Sequence, residues 1–187
     1  MHRPTEPNGR ERTLPSVDDD DWRKALAGDG DAFGRIFDRH KDRIRRHSHG
    51  LVASVPDAED VVAVTFLEAW RNRHRVRVVD GSLLPWLLVT TTNVARNLSR
   101  SSRRYAIALS RLPPVTSVEI PGSDLAATRA LRGLSLDDQR VITLCVLYDF
   151  TTLEAAEALG VAPGTVKSRL SRAKRRLALQ LDLSTAS

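Results

Sequence analysis

Residues 152–177, TLEAAEALGVAPGTVKSRLSRAKRRL, leave this chain few folds to choose from. Thr152 can cap a short helix, with Glu154 in the first turn facing the positive end of the helix dipole. Ala155 and Ala156 are small, so a second helix can cross closely. Gly160 stands where the first helix must end in a left-handed residue, which glycine adopts without steric cost. Pro163 suits the first turn of the next helix, where no N–H is needed. A short helix, a tight glycine turn and a second helix make a helix-turn-helix.

The second helix separates its faces. Val166, Leu170, Ala173 and Leu177 recur at helical spacing and predict the side that packs on the first helix. Lys167, Ser168, Ser171, Arg172, Arg175 and Arg176 spread over the other side, and no acid occurs between Pro163 and Leu177. A merely solvated face usually mixes both signs, so cations of one sign point to phosphates. Small serines among long cations let such a helix approach base edges in a major groove.

The rest of the composition agrees. Among 187 residues the net charge is +6 with a pI near 10.2, which favours a polyanionic partner and would also suit a membrane surface. Aromatics are only 5%, so the core is built from Leu, Val and Ala, which favours helices over strands. The single cysteine, Cys145, excludes an internal disulfide, argues against a cysteine metal site and reads as a small core residue. No apolar run reaches the roughly 20 residues of a membrane span, and the polar start lacks a signal peptide's apolar stretch, so the expected address is the cytoplasm.

The predicted architecture is all-α: two small helical domains joined by a flexible linker, the second carrying the helix-turn-helix. Residues 1–17 read as a disordered lead. A first domain, residues 18–104, opens on Asp18-Asp19-Asp20-Asp21, which suits a helix N-terminus, and breaks at Gly28-Asp29-Gly30. Helices are predicted over residues 31–51, from Pro56-Asp57 to about Trp70, and over 83–104, with an irregular basic segment at 72–82. Pro113, Pro114 and Pro121 mark residues 105–122 as linker. The second domain, residues 123–187, is predicted to hold helices at 124–132, 136–148, 152–159 and 163–181. Trp70 and Trp86 are expected to pack in the core.

With these blocks in view, the chain from about Trp22 to Leu181 resembles an extracytoplasmic-function (ECF) sigma factor of bacterial RNA polymerase. Asp57-Ala-Glu-Asp-Val-Val-Ala-Val-Thr-Phe-Leu-Glu-Ala-Trp is similar to that family's polymerase-binding helix. Leu84-Pro-Trp-Leu-Leu followed by Asn93-Val-Ala-Arg-Asn-Leu is similar to its −10 recognition region, and residues 134–177 to its −35 module. The resemblance implies a non-enzymatic initiation factor, without cofactor or metal, whose partners are core polymerase and promoter DNA. Many family members are also held by an anti-sigma factor. It implies polymerase contacts at Asp57, Glu59, Asp60, Phe66 and Glu68. It places Asn93, Arg96, Asn97, Arg100 and Arg77 at the −10 element. Thr165, Lys167, Ser168, Arg169, Ser171, Arg172 and Arg175 would lie at the −35 element. Asn93, Arg96, Asn97 and Arg100 do fall at i, i+3, i+4 and i+7, one helix face. Ala63 and Val64 depart from the family's usual glutamine and acid, and residues 74–79 lack aromatics for stacking a captured base.

Two rivals fit less of the chain. A stand-alone helix-turn-helix regulator leaves the acidic and apolar helix at 57–70 without a purpose. An enzyme acting on nucleic acid would draw on His40, His47, His49 or His74. Yet His47 and His49 point about 200° apart around a helix, and no phosphate loop, carboxylate cluster or nucleophile motif completes a site.

Overall fold

The computed structural model describes residues 17–108 and 125–185, so the expected disordered lead, except Val17 at the start of a helix, and most of the expected linker lie outside the described residues. The helices are α1 (Val17–Leu26), α2 (Gly30–His49), α3 (Val55–Arg71), α4 (Leu84–Ala108), α5 (Leu125–Gly133), α6 (Leu136–Ile142), α7 (Thr152–Leu159) and α8 (Pro163–Thr185). No extended strand occurs among the described residues; Val79 and Ser82 form a single bridge. That bridge closes a tight turn in which Asp80 and Gly81 both take positive φ.

Local chemistry sets most of these boundaries. Asp29 caps α2 by accepting from Ala32 N, and Ser54 caps α3 by accepting from Asp57 N, with Pro56 in the first turn. The acidic run does more than face a dipole. Asp18 is buried, accepts from the Leu83 amide at 2.8 Å and from His40 Nε2 at 2.8 Å, and pairs with Arg39. Burial alone would raise its pKa, but His40, the Leu83 amide and Arg39 hold the carboxyl down at about 2. Asp18 thus pins the start of α1 to both α2 and the chain entering α4.

α1 to α4 enclose a core of Trp22, Ile36, Ile44, Val61, Val62, Phe66, Leu83, Leu84, Leu87 and Leu88. Burial of each such side chain contributes about 1.5–3 kcal/mol. The threonines of α4, poor helix formers, are stabilised by their surroundings. Thr91 and Thr92 are fully buried and donate to Leu87 O at 2.7 Å and Leu88 O at 2.9 Å. The helix then runs to Ala108, four residues past its predicted end, because Ala106, Ile107 and Ala108 contain no breaker.

In the second half, α5 and α6 pack on α8, and α7 crosses α8 over Ala155, Ala156, Val166 and Ala173. The helix predicted over 136–148 is not continuous. It is α-helical to Ile142, then widens to a π turn at Thr143–Leu147, after which Phe150 N donates to Leu144 O. The two halves touch, since α4 packs against α6 and α7.

His47 lies where they meet. It is buried, its Nε2 sits 3.2 Å from Thr92 Oγ1, and the Tyr148 ring meets it edge-on with centroids 5.5 Å apart. Burial pushes its pKa down from 6.5 to about 4. The unfolded chain binds this proton first, so folding stability is fully present above about pH 6.5 and falls as pH drops toward 4. Urea unfolding across this window should reveal a loss of up to about 3 kcal/mol that His47→Gln removes in part. An unchanged pH slope in that variant would show that His47 titrates as a solvated group.

Candidate nucleic-acid interface

The recognition turn is built by two local devices. Thr151, not Thr152 as expected, caps α7: its hydroxyl accepts from Glu154 N, and the Glu154 carboxylate accepts from Thr151 N at 2.7 Å. The Thr-x-x-Glu spacing of a capping box runs from Thr151 to Glu154, one residue ahead of Thr152. Gly160 ends α7 at φ 67°, and its amide reaches back to Ala156 O and Glu157 O.

The second helix of the motif, α8, buries Val166 and Ala173 against α7 and half-buries Leu170 and Leu177. Lys167, Ser168, Ser171, Arg172, Lys174 and Arg175 are exposed, and Thr165 is half-buried beside them. Two further cations of α8 turn toward α6. Arg169 pairs with Asp137 at 3.3 Å, and Arg176 with the buried Asp138. Sequence reasoning did not foresee these acids, because they lie some 30 to 40 residues away from their partners. The exposed remainder keeps a single sign of charge.

Four of the predicted −10 residues, Asn93, Arg96, Asn97 and Arg100, stand on α4, but the structure treats them unequally. Asn97 and Arg100 are exposed. Asn93 Oδ1 accepts from Arg140 Nε at 2.8 Å, and Arg96 Nη1 donates to Leu134 O at 3.1 Å. Arg77, in the loop before α4, donates to Glu157 O at 3.2 Å, at the carbonyl end of α7. Arg132, Arg140 and Tyr148 at this seam carry no sequence signal, since nothing local ties them to α4.

On α3, Asp60 is exposed, Glu59 is exposed and pairs with Arg45 at 2.8 Å, and Asp57 is half-buried. Glu68 accepts from Asn72 Nδ2 at 2.7 Å. Phe66 is in the core, its ring 4.7 Å from that of Phe37. Beside these acids α3 also offers apolar side chains outward: Val64 is 40% and Leu67 44% exposed. Leu67 also edges a cavity of about 390 Å³ lined by Gly30, Phe33, Phe66 and Trp70. Trp70 and Trp86 are half-buried against the core. Among the described residues no helix is long and apolar enough to cross a membrane, and no group of three or more His, Cys, Asp or Glu could hold a metal.

A polar row on α4 and a cationic helix-turn-helix thus stand in one helical chain. Residues 36–105 match the sigma-70 region 2 family and residues 124–177 match sigma-70 region 4. The chain is 30% identical over 156 residues to the ECF RNA polymerase sigma factor SigM of Mycobacterium tuberculosis, covering 82% of this chain and 79% of that protein. It is 29% identical to the ECF RNA polymerase sigma factor BldN of Streptomyces coelicolor, covering 88% of this chain and 68% of that protein. Among solved structures, CnrH in complex with the cytosolic domain of CnrY aligns with a TM-score of 0.61 at 25% identity, over 89% of this chain and 98% of that one. The sigma factor RpoE of Bartonella quintana, in complex with the anti-sigma factor NepR, aligns with a TM-score of 0.58 at 27% identity, over 80% and 96%. The chain belongs to the ECF family of RNA polymerase sigma factors.

The capping box gives a direct check on the recognition turn. Thr151→Ala should lower stability by about 1 kcal/mol in denaturant unfolding. Thr152→Ala, which leaves both capping bonds in place, should cost clearly less. The reverse order would mean that the helix starts one residue later.

Proposed function

We propose that this sigma factor reads its promoter with two faces and grips the polymerase with a third. The −35 duplex is met by Lys167, Ser168, Ser171, Arg172 and Arg175 of α8, flanked by Thr165 and Arg169. The −10 element is met by Asn93, Arg96, Asn97 and Arg100 of α4, with Arg77 in the loop before it. The polymerase core is met by α3 through Asp57, Glu59, Asp60 and Glu68, with Val64 and Leu67 supplying apolar contact and Phe66 supporting them from beneath. Residues 18–104 form the unit for polymerase and −10 element, and residues 123–187 the unit for the −35 element. The role is binding rather than catalysis, and it is exercised in the cytoplasm, where the polymerase works.

The observation that carries this reading is the exposed face of α8 between Pro163 and Leu177, cationic and free of acids, on a turn closed by Gly160. Arginine and lysine on such a helix reach phosphates and the O6 and N7 atoms of guanine. On α4 the asparagine amides suit base edges, and unstacking a base costs a few kcal/mol that such contacts must offset. An anti-sigma partner is part of the proposal, supported by the two solved relatives, CnrH in complex with the cytosolic domain of CnrY and RpoE in complex with the anti-sigma factor NepR.

Transcription in vitro with reconstituted holoenzyme, on promoters selected by pull-down and sequencing, tests the assignments. Arg172→Ala should lower output about tenfold, with relaxed preference at the −35 element, the loss of about 1.4 kcal/mol expected for one good contact. Asn97→Ala should leave duplex binding intact and slow opening. Full activity of both variants would overturn the site assignment, and failure of the wild-type chain to program the core would overturn the whole reading.

A further inference from the structure

Part of the surface of α4 assigned to the −10 element is already occupied around Asn93 and Arg96, although Asn97 and Arg100 stay exposed, and the occupant is the chain's own C-terminal half. Asn93 holds the Arg140 guanidinium of α6, with Nε 2.8 Å from the amide oxygen. Arg96 donates to Leu134 O at 3.1 Å and more weakly to Arg132 O at 3.4 Å, at the carbonyl end of α5. Arg77 donates to Glu157 O in the last turn of α7. Behind these bonds Tyr148 packs its ring edge on His47, and its hydroxyl points at Arg43 O from 3.5 Å.

The chemistry of the fit is specific. The last carbonyls of a helix have no partner within the helix and carry the negative end of its dipole. They present partly negative acceptor oxygens, as a phosphate does. Two arginines assigned to nucleic acid, Arg96 and Arg77, thus each meet the carbonyl end of a different helix. The bonds they make there are bonds they cannot make to a DNA backbone at the same time.

We infer that the free protein is self-masked: α5, α6 and α7 dock on the −10-facing side of α4 and compete with single-stranded promoter DNA for Asn93, Arg96 and Arg77. This inference rests on the assignment of that face to the −10 element. The mask is one-sided, because Lys167, Ser168, Ser171, Arg172 and Arg175 stay exposed in the same arrangement. It is also separable. The seam holds a half-open cleft of about 290 Å³ lined in part by Arg96, Arg100, Arg132 and Gln139, which gives water a way in. Arg96 and Arg100 of α4 and Arg132 of α5 all line it, and like charges around one cleft weaken the joint. Burial lowers the pKa of Arg132, an effect that nearby Asp57 partly opposes.

The test uses the full chain without polymerase. Small-angle scattering should find the wild-type chain compact, and Arg140→Ala combined with Tyr148→Leu should expand it while circular dichroism shows unchanged helix content. Binding of a fluorescent oligo-dT, a probe for single-stranded backbone contacts, should tighten in the same variant. If the wild-type chain is about nine-tenths closed, the gain is about tenfold. Arg140→Ala alone, which leaves the Tyr148 ring in place, should give a smaller change in the same direction. Neither residue has been placed on the polymerase or DNA, so holoenzyme transcription should be unaffected. An extended wild-type chain, or a folded and expanded variant with no gain in oligo-dT binding, would overturn the inference. Because these measurements omit the core enzyme, their failure is distinct from a failure of the sigma-factor reading, which shows only in transcription by the wild-type chain.

Discussion

Everything in this protein is referred to α4, and α4 holds its place by burying one side completely. Leu84, Leu87 and Leu88 are sealed by α2 and α3, and Thr91 and Ala95 continue the stripe one and two turns on. Truncating a leucine in such a position typically costs 2–5 kcal/mol, a large share of the 5–15 kcal/mol that stabilises a domain. Because a helix repeats every 3.6 residues, fixing that stripe also fixes where Asn93, Arg96, Asn97 and Arg100 stand. The rotation of the face proposed to meet nucleic acid is therefore set by apolar burial on the far side, not by anything the polar residues do. The Asp18 carboxylate secures the other degree of freedom, the axial position, by taking the Leu83 amide at the helix start.

The threonines make the same point at the level of single bonds. Three consecutive β-branched residues lower helix propensity in isolation. Once the stripe is buried, a threonine hydroxyl facing inward needs an acceptor, and the carbonyl four residues back is always within reach. Thr91 and Thr92 use it, and Thr65 on α3 does the same toward Val61 O at 2.7 Å. A segment that looks unfavourable for a helix thus becomes polar yet fully satisfied packing between α3 and α4, with Thr65 and Thr91 hydroxyls 3.3 Å apart.

What could be read from the sequence is what local interactions decide. The Gly160 turn, the breaks at Gly28 and Pro56, the two-faced α8 and the all-α class each follow from residues within one or two turns of each other. Errors arose where two local solutions competed or where distance intervened. Thr151 and Thr152 are chemically equal caps, and only the reciprocal bond from Glu154 separates them. The run 136–148 has no breaker, so its π turn follows instead from packing, with Leu144 and Val141 both buried and Phe150 bonded back to Leu144 O. The acidic run was legible as a helix start, but its docking on Arg35, Arg39 and His40 joins residues 14 to 22 apart and left no mark in periodicity.

The cations show how far charge counting goes and where it stops. A tally along α8 treats Lys167, Arg169, Arg172, Arg175 and Arg176 alike. The fold divides them: Arg169 and Arg176 are held by Asp137 and Asp138, so they brace α8 on α6, whereas Lys167, Arg172 and Arg175 face solvent. The braces lie on the flank of the helix and the exposed cations on its outer face. That division holds α8 firmly where it meets protein and leaves long side chains free to adapt on the face proposed to meet phosphates. A net charge of +6 is consistent with binding a polyanion, but the sites come from the small number of acids that the fold places beside particular arginines and withholds from the rest.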